Sequence, residues 1–245
     1  MAEAGTAYIR ADSMKSSEKK FVPVEQEPLH KEILRNSRIR LYRAVLTPGT
    51  RTAYHRHSQD TVYIVCTGGS IKTELFPGSG RCSTILPGWI TLREKIRLIA
   101  GKLVTGALHL HAGFMFYMPS GANPVIHAAA ASRTNADPMN LIGIELYGGK
   151  ESVHCKNERK EWGRRNFFIH GVRIKHVVLP SGKTVTESGN GNPLCIVSCG
   201  QSAVVLEAGK ETKLSAGGFL WLDSLSSFVI QNTGSKTLQL IVLEF

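Results

Sequence analysis

A chain of 245 residues with 42% hydrophobic content can bury a full core, as one large domain or two small ones. It contains no apolar run of about eighteen residues, so no membrane-spanning helix is expected, and the acidic Glu3, Asp12 and Glu18 in a tail without an apolar stretch argue against a secretory signal or transit peptide. The net charge of +11 is gathered at Lys15, Lys19 and Lys20, at Arg93, Lys95 and Arg97, and at Lys156, Arg159, Lys160, Arg164 and Arg165, without any RNA-binding or recognition-helix motif; it reads as a solvated basic surface, with attraction of an anionic small molecule as its functional counterpart and no specific nucleic-acid partner.

Taken in chain order, short apolar or alternating runs bounded by Gly, Pro, Asn and Ser predict strands. They fall at Ile39–Leu46, Thr61–Cys66, Phe114–Met118, Leu141–Leu146, Gly171–Leu179, Ser202–Leu206, Phe219–Leu222 and Thr237–Glu244. Helical signal is confined to Val24–Asn36 and Glu151–Arg164. Leu46-Thr47-Pro48-Gly49-Thr50 is a turn into the segment that carries His55-Arg56-His57. Alternate residues of a strand share a face, so His55 and His57 stand about 6–7 Å apart on one side and can close on one ion.

The chain repeats itself. Val45–Thr52 is echoed by Val178–Thr184, Ile64–Gly68 by Ile196–Gly200, Ala112–Phe116 with Val125–His127 by Gly217–Trp221 with Val229–Gln231, and Leu141–Leu146 by Leu240–Phe245. Four matches in one order describe a duplicated β unit. Aligned on Cys66 and Ser198, the halves set His55, His57 and His127 opposite Glu187, Gly189 and Gln231, so the second half lacks every imidazole. Chemistry is expected in the first half, and packing in the second.

The glycine turn, the His-x-His pair and the strand Thr61–Thr67 ending in Gly68-Gly69 resemble the first motif of the cupin superfamily. Ala112-Gly113 through Pro119-Ser120-Gly121, followed by His127 and Asn135, resembles the second motif. The resemblance implies an all-β fold of two tandem jelly-roll barrels, a bicupin with a degenerate second domain. The expected division is a tail and lead-in over 1–35, an N-terminal barrel over 36–150, a basic connector over 151–170 and a C-terminal barrel over 171–245. It further implies that His127 joins His55 and His57 as a metal ligand. The glutamate that the family places four residues after the second histidine is Thr61 here. A set of three histidines without a carboxylate resembles cupin Fe(II) dioxygenases of thiols and small organic acids; zinc, manganese and nickel are the other candidate ions.

Further candidates surround this set. Tyr54, Thr61 and Arg93 are read as substrate-binding residues, and Tyr63, His109 and His111 as catalytic ones; hydrogen-bonded rim histidines and a core tyrosine are the plain structural readings. The segment between Arg81 and Leu108, an insertion relative to the second half, is either a lid over the barrel mouth or a hairpin for homodimer contact. Cysteines 66, 82, 155, 195 and 199 have neither zinc-site spacing nor a disulfide pattern, and Cys66 and Cys199 read as small buried hydrophobes, which makes a reducing cytoplasm the default. The expected function is that of a metal-dependent cupin enzyme acting on a small organic molecule, foremost an Fe(II) dioxygenase. Metal-assisted isomerase, lyase or cyclase chemistry and non-catalytic ligand binding stand as alternatives.

Overall fold

A computed structural model describes residues 20–80, 92–120, 124–147, 165–188, 191–200, 203–207, 209–223 and 227–245. In the first unit the strands are β1 (Val22–Pro23), β2 (His30–Arg35), β3 (Ile39–Leu46), β4 (His55–Arg56), β5 (Thr61–Thr67), β6 (Gly69–Leu75), β7 (Leu108–Leu110), β8 (Met115–Met118), β9 (Ile126–Ala131) and β10 (Met139–Leu146). A short 3₁₀ turn, Val24–Gln26, follows β1, and helix α1 (Leu92–Thr105) lies between β6 and β7. The second unit holds β11 (Arg165–Ile169), β12 (Val172–Leu179), β13 (Thr184–Ser188), β14 (Leu194–Cys199), β15 (Ala203–Glu207), β16 (Lys210–Leu214), β17 (Phe219–Leu222), β18 (Ser227–Gln231) and β19 (Leu238–Glu244).

Each unit is a pair of facing sheets. In the first, the orders are β1-β4-β9-β6-β7 and β2-β3-β10-β5-β8; in the second, β13-β18-β15-β16 and β11-β12-β19-β14-β17. Apart from β1, which has no counterpart among the described residues of the second unit, the strand orders of the two units match, which is the structural form of the repeat in the sequence. Alternating apolar residues of both sheets close over one interior in each unit, the packing expected of a jelly roll. The units share core: Phe167, Ile169, Ile174, Cys195, Val197, Ile241 and Leu243 of the second belong to the same buried cluster as Ile39, Val65 and Cys66 of the first. The amide of Gly200 donates to the carbonyl of Cys66 at 3.0 Å, and the Arg43 guanidinium to the carbonyl of Gly217 at 2.9 Å.

Three expectations are corrected. The helix foreseen over Val24–Asn36 is a single 3₁₀ turn followed by β2, because Lys31 to Leu34 pair with β3 and tertiary pairing overrides local propensity. β2 thereby belongs to the first barrel and β11 to the second, so segments assigned to the lead-in and the connector are strands. The helix lies instead in the insertion, where Gly106 at φ 69° and its amide bond to the Lys102 carbonyl end α1. Isoleucine and leucine on both its faces hid the helical period: Ile96 and Leu103 are exposed while Leu98 packs on the core. The helix foreseen over Glu151–Arg164 lies outside the described residues. None of the helices among the described residues is long and apolar enough to cross a membrane.

Candidate metal centre

The antiparallel pairing of β4 with β9 sets His55 opposite His127, and the strand alternation sets His57 on the same side as His55. One ligand nitrogen from each of His55, His57 and His127 lies within 4.8 Å of the other two, and all three side chains are buried. Nε2 of His57 and Nε2 of His127 are 3.1 Å apart. His55 Nδ1 donates to the carbonyl of Ala53 at 2.9 Å, which leaves Nε2 as the lone-pair nitrogen, and that atom is buried without a hydrogen-bond partner. A backbone acceptor behind the ligating ring is how proteins fix the tautomer of a metal-binding histidine.

The electrostatics keep these rings neutral. Burial, then the nearby charge of His30, pushes the His55 imidazole down to about 4. His57 is held well below the ordinary histidine range by burial, then by His127 and His55, and His127 by burial, then by His55 and His30. Three buried imidazoles so close together cannot all be protonated, and the neutral form is the one that ligates a metal.

Two residues unsupported by any sequence motif complete the arrangement. His30, from β2, lies with its ring centroid 4.6 Å from that of His55. Its Nδ1 donates to Glu27 Oε2 at 2.5 Å, its Nε2 and the Tyr63 hydroxyl are hydrogen-bonded at 3.2 Å, and Tyr63 accepts in turn from the Tyr42 hydroxyl at 3.0 Å. Glu27 also accepts from the amides of Leu29 and Ala53, at 2.9 and 3.0 Å. Burial opposes its ionisation, but the His30 bond and charge and the Ala53 amide hold its carboxyl below the usual range. Ala53 thus ties Glu27 on its amide side to His55 on its carbonyl side. No local pattern marks Glu27 or His30 as part of the site, because the contacts that bring them there are to the distant Ala53, His55 and Tyr63.

The other sequence candidates divide. Tyr63 reaches the cluster, with its hydroxyl 3.4 Å from His57 Nε2, and burial, then Tyr42, holds that hydroxyl in its protonated form. Thr61 is fully buried; its hydroxyl donates to the Gln59 carbonyl at 2.9 Å and stands 3.5 Å from His57 Nδ1, on the far side of the ring from His127. His109 and His111 are not brought to the cluster: Leu108 and Leu110 face the interior, so both histidines are exposed, His109 against Ser70 and His111 against the Ala112 carbonyl. Tyr54, next to His55, points to the opposite face, where its hydroxyl bonds Glu74 and Arg51 covers its ring at 4.7 Å. Arg93 lies in α1, with its side chain outside the described residues. In the second unit Thr184 pairs with Gln231 where His55 pairs with His127, so register makes Thr184, rather than Glu187, the partner of the residue aligned with His127.

Above the histidines the first barrel encloses a cavity of about 490 Å³, with His30, His55, Tyr63 and His127 in its wall and α1 along one side.

Among solved structures, AerE from Microcystis aeruginosa superposes with a TM-score of 0.52 at 14% identity, over 89% of this chain and 97% of that one. Salicylate 1,2-dioxygenase from Pseudaminobacter salicylatoxidans gives 0.52 at 10% identity, over 88% and 75%. The fold is a tandem cupin. A variant of the same dioxygenase in complex with gentisate matches this bicupin with a TM-score of 0.53 at 10% identity, over 88% and 73% of the two chains. No protein-family profile and no curated protein matches the sequence.

Proposed function

We propose that this bicupin is a metal-dependent enzyme acting on a small organic molecule, with an Fe(II) dioxygenase as the specific reading. The observation that carries it is the meeting of three neutral, buried imidazoles, one with an unpartnered Nε2, in the wall of a cavity large enough for a substrate. His55, His57 and His127 would hold the ion through nitrogen, and the donor set suits iron, zinc, copper or nickel. An iron(II) ion so held supplies redox chemistry toward dioxygen and a coordination position for substrate.

The rest belongs to the chain. Glu27, through Ala53 and His30, keeps the His55 side of the site in place. Tyr63, a cavity-lining hydroxyl bonded to His30, is placed to donate a hydrogen bond to a bound substrate by exchanging partners. A substrate seated against the apolar wall would displace water, which strengthens each polar contact made inside. The similarity to a structure containing gentisate supports a small organic ligand as the class to test.

The test is metal analysis of chelator-stripped protein reloaded anaerobically with Fe(II), followed by oxygen uptake in the presence of small organic acids. Wild type and Gln231→Ala should retain one ion per chain and His57→Ala should lose it. Equal metal in wild type and His57→Ala would refute the reading.

A further inference from the structure

The cavity wall says more about the ligand than the histidines do. Apart from its histidines, the described residues that line it include two charged side chains, Lys95 and Lys102, and no acidic one. Most of the remainder is aliphatic or aromatic, from Leu46 and Ile71 to Phe114 and Met118. The histidines His55 and His127 are buried, whereas Leu75, Ile99 and both lysines are exposed, so the cavity opens beside α1 and ends at the candidate metal centre. Lys95 and Lys102 are seven residues apart, about two helical turns, and therefore stand on one side of α1 along that opening. Leu98 anchors the same side of the helix to the core.

An apolar channel with positive charge confined to its mouth selects on two counts. A hydrocarbon gains by leaving water for the wall, at about 25 cal/mol per Å² of buried apolar surface. A charged group gains nothing there and stays at the opening, where only an anion meets opposite charge. At about 30 Å³ per water-sized group, 490 Å³ holds roughly sixteen such groups, more than a single small ring requires.

We propose that the cavity binds an amphiphilic monocarboxylate, with its hydrocarbon body along the apolar wall toward His55 and His127 and its carboxylate between Lys95 and Lys102. The carboxylate is thus held away from the histidines, and the far end of the molecule, with any polar group it carries, is the part presented to them and to Tyr63. This names the substrate class of the site proposed above and rests on that reading for the chemistry, though not for the binding.

The experiment is calorimetric titration of the full chain with decanoate, 1-decanol and decyltrimethylammonium, with bound metal measured on the same samples. Decanoate should bind most tightly and the cation least. The Lys95→Gln/Lys102→Gln double variant should weaken decanoate about five- to tenfold, the scale of two exposed ion pairs, and leave decanol and metal content unchanged. Leu108→Trp, which fills the cavity beside the opening, should abolish binding of all three. If the double variant folds poorly, the salt dependence of wild type decides: decanoate affinity should fall with ionic strength and decanol affinity should not. Equal affinity for decanoate and decanol, or decanoate binding indifferent to both the lysines and salt, overturns the proposal. Failure of every decyl compound with metal still bound overturns it while leaving the metal reading standing; decanoate bound without metal supports the ligand class and removes the metal reading.

Discussion

Acid should destabilise this protein through its buried histidines, and His55 sets the scale. Its imidazole titrates near 4 in the fold against 6.5 for an exposed histidine, because burial, then the charge of His30, disfavours the proton. Between those values the unfolded chain carries a proton at this residue that the folded chain does not, so stability is fully present above pH 6.5 and falls as the pH drops toward 4. A difference of about 2.5 pH units corresponds to about 3 kcal/mol at roughly 1.4 kcal/mol per unit, a large share of the about 5–15 kcal/mol that holds a typical domain together. His57 and His127 are shifted in the same direction and add to the loss. The assay is urea unfolding with a chelator present, from pH 7.5 to 4.5, on wild type and His55→Asn. The variant removes one titrating site, so its stability should depend less steeply on pH, by about 1.4 kcal/mol per unit within that window. Slopes are compared, so a uniform loss of stability in the variant does not matter. Parallel pH profiles would refute the claim that His55 is buried and neutral.

Further outcomes follow from the packing around the site. A Cβ on Gly143 would lie 2.2 Å from Cε2 and 2.4 Å from Cζ of Tyr42, whose hydroxyl supports Tyr63; Gly143→Ala should cost about 1–3 kcal/mol in denaturant unfolding and weaken metal binding in a titration, and a variant with unchanged values would show that Tyr42 moves freely. Glu27→Gln keeps the shape but cannot match three donors, from Leu29, Ala53 and His30; it should lose about 1–3 kcal/mol, and an equally stable variant would mean that the carboxylate does not hold the site. Residues 1–164 expressed alone should aggregate on size-exclusion chromatography, since the shared core around Cys66 and Val65 would face water without Phe167, Ile241 and Leu243; a soluble monomer would contradict that packing.

The duplication, the strand runs and the three histidines were legible in the chain because each rests on local information. Ile39–Leu46 and Phe219–Leu222 have the same bounds in sequence and fold, since alternation and turn residues act over a few positions. The pair His55 and His57 needed only the two-residue period, and His127 needed a motif. What the chain alone could not disclose depends on contacts between distant segments. Val24–Asn36 reads as a helix until β3 offers its edge to β2, and His30 enters the site only through that pairing. Glu27 becomes a buried, bonded carboxylate because the Ala53 amide comes to it from the distant segment before β4. His109 and His111 have the same alternation as His55 and His57, yet the closure of the barrel turns Leu108 and Leu110 inward and leaves those histidines in water. Periodicity determines which residues share a face; only the packed sheets decide which face is the inside.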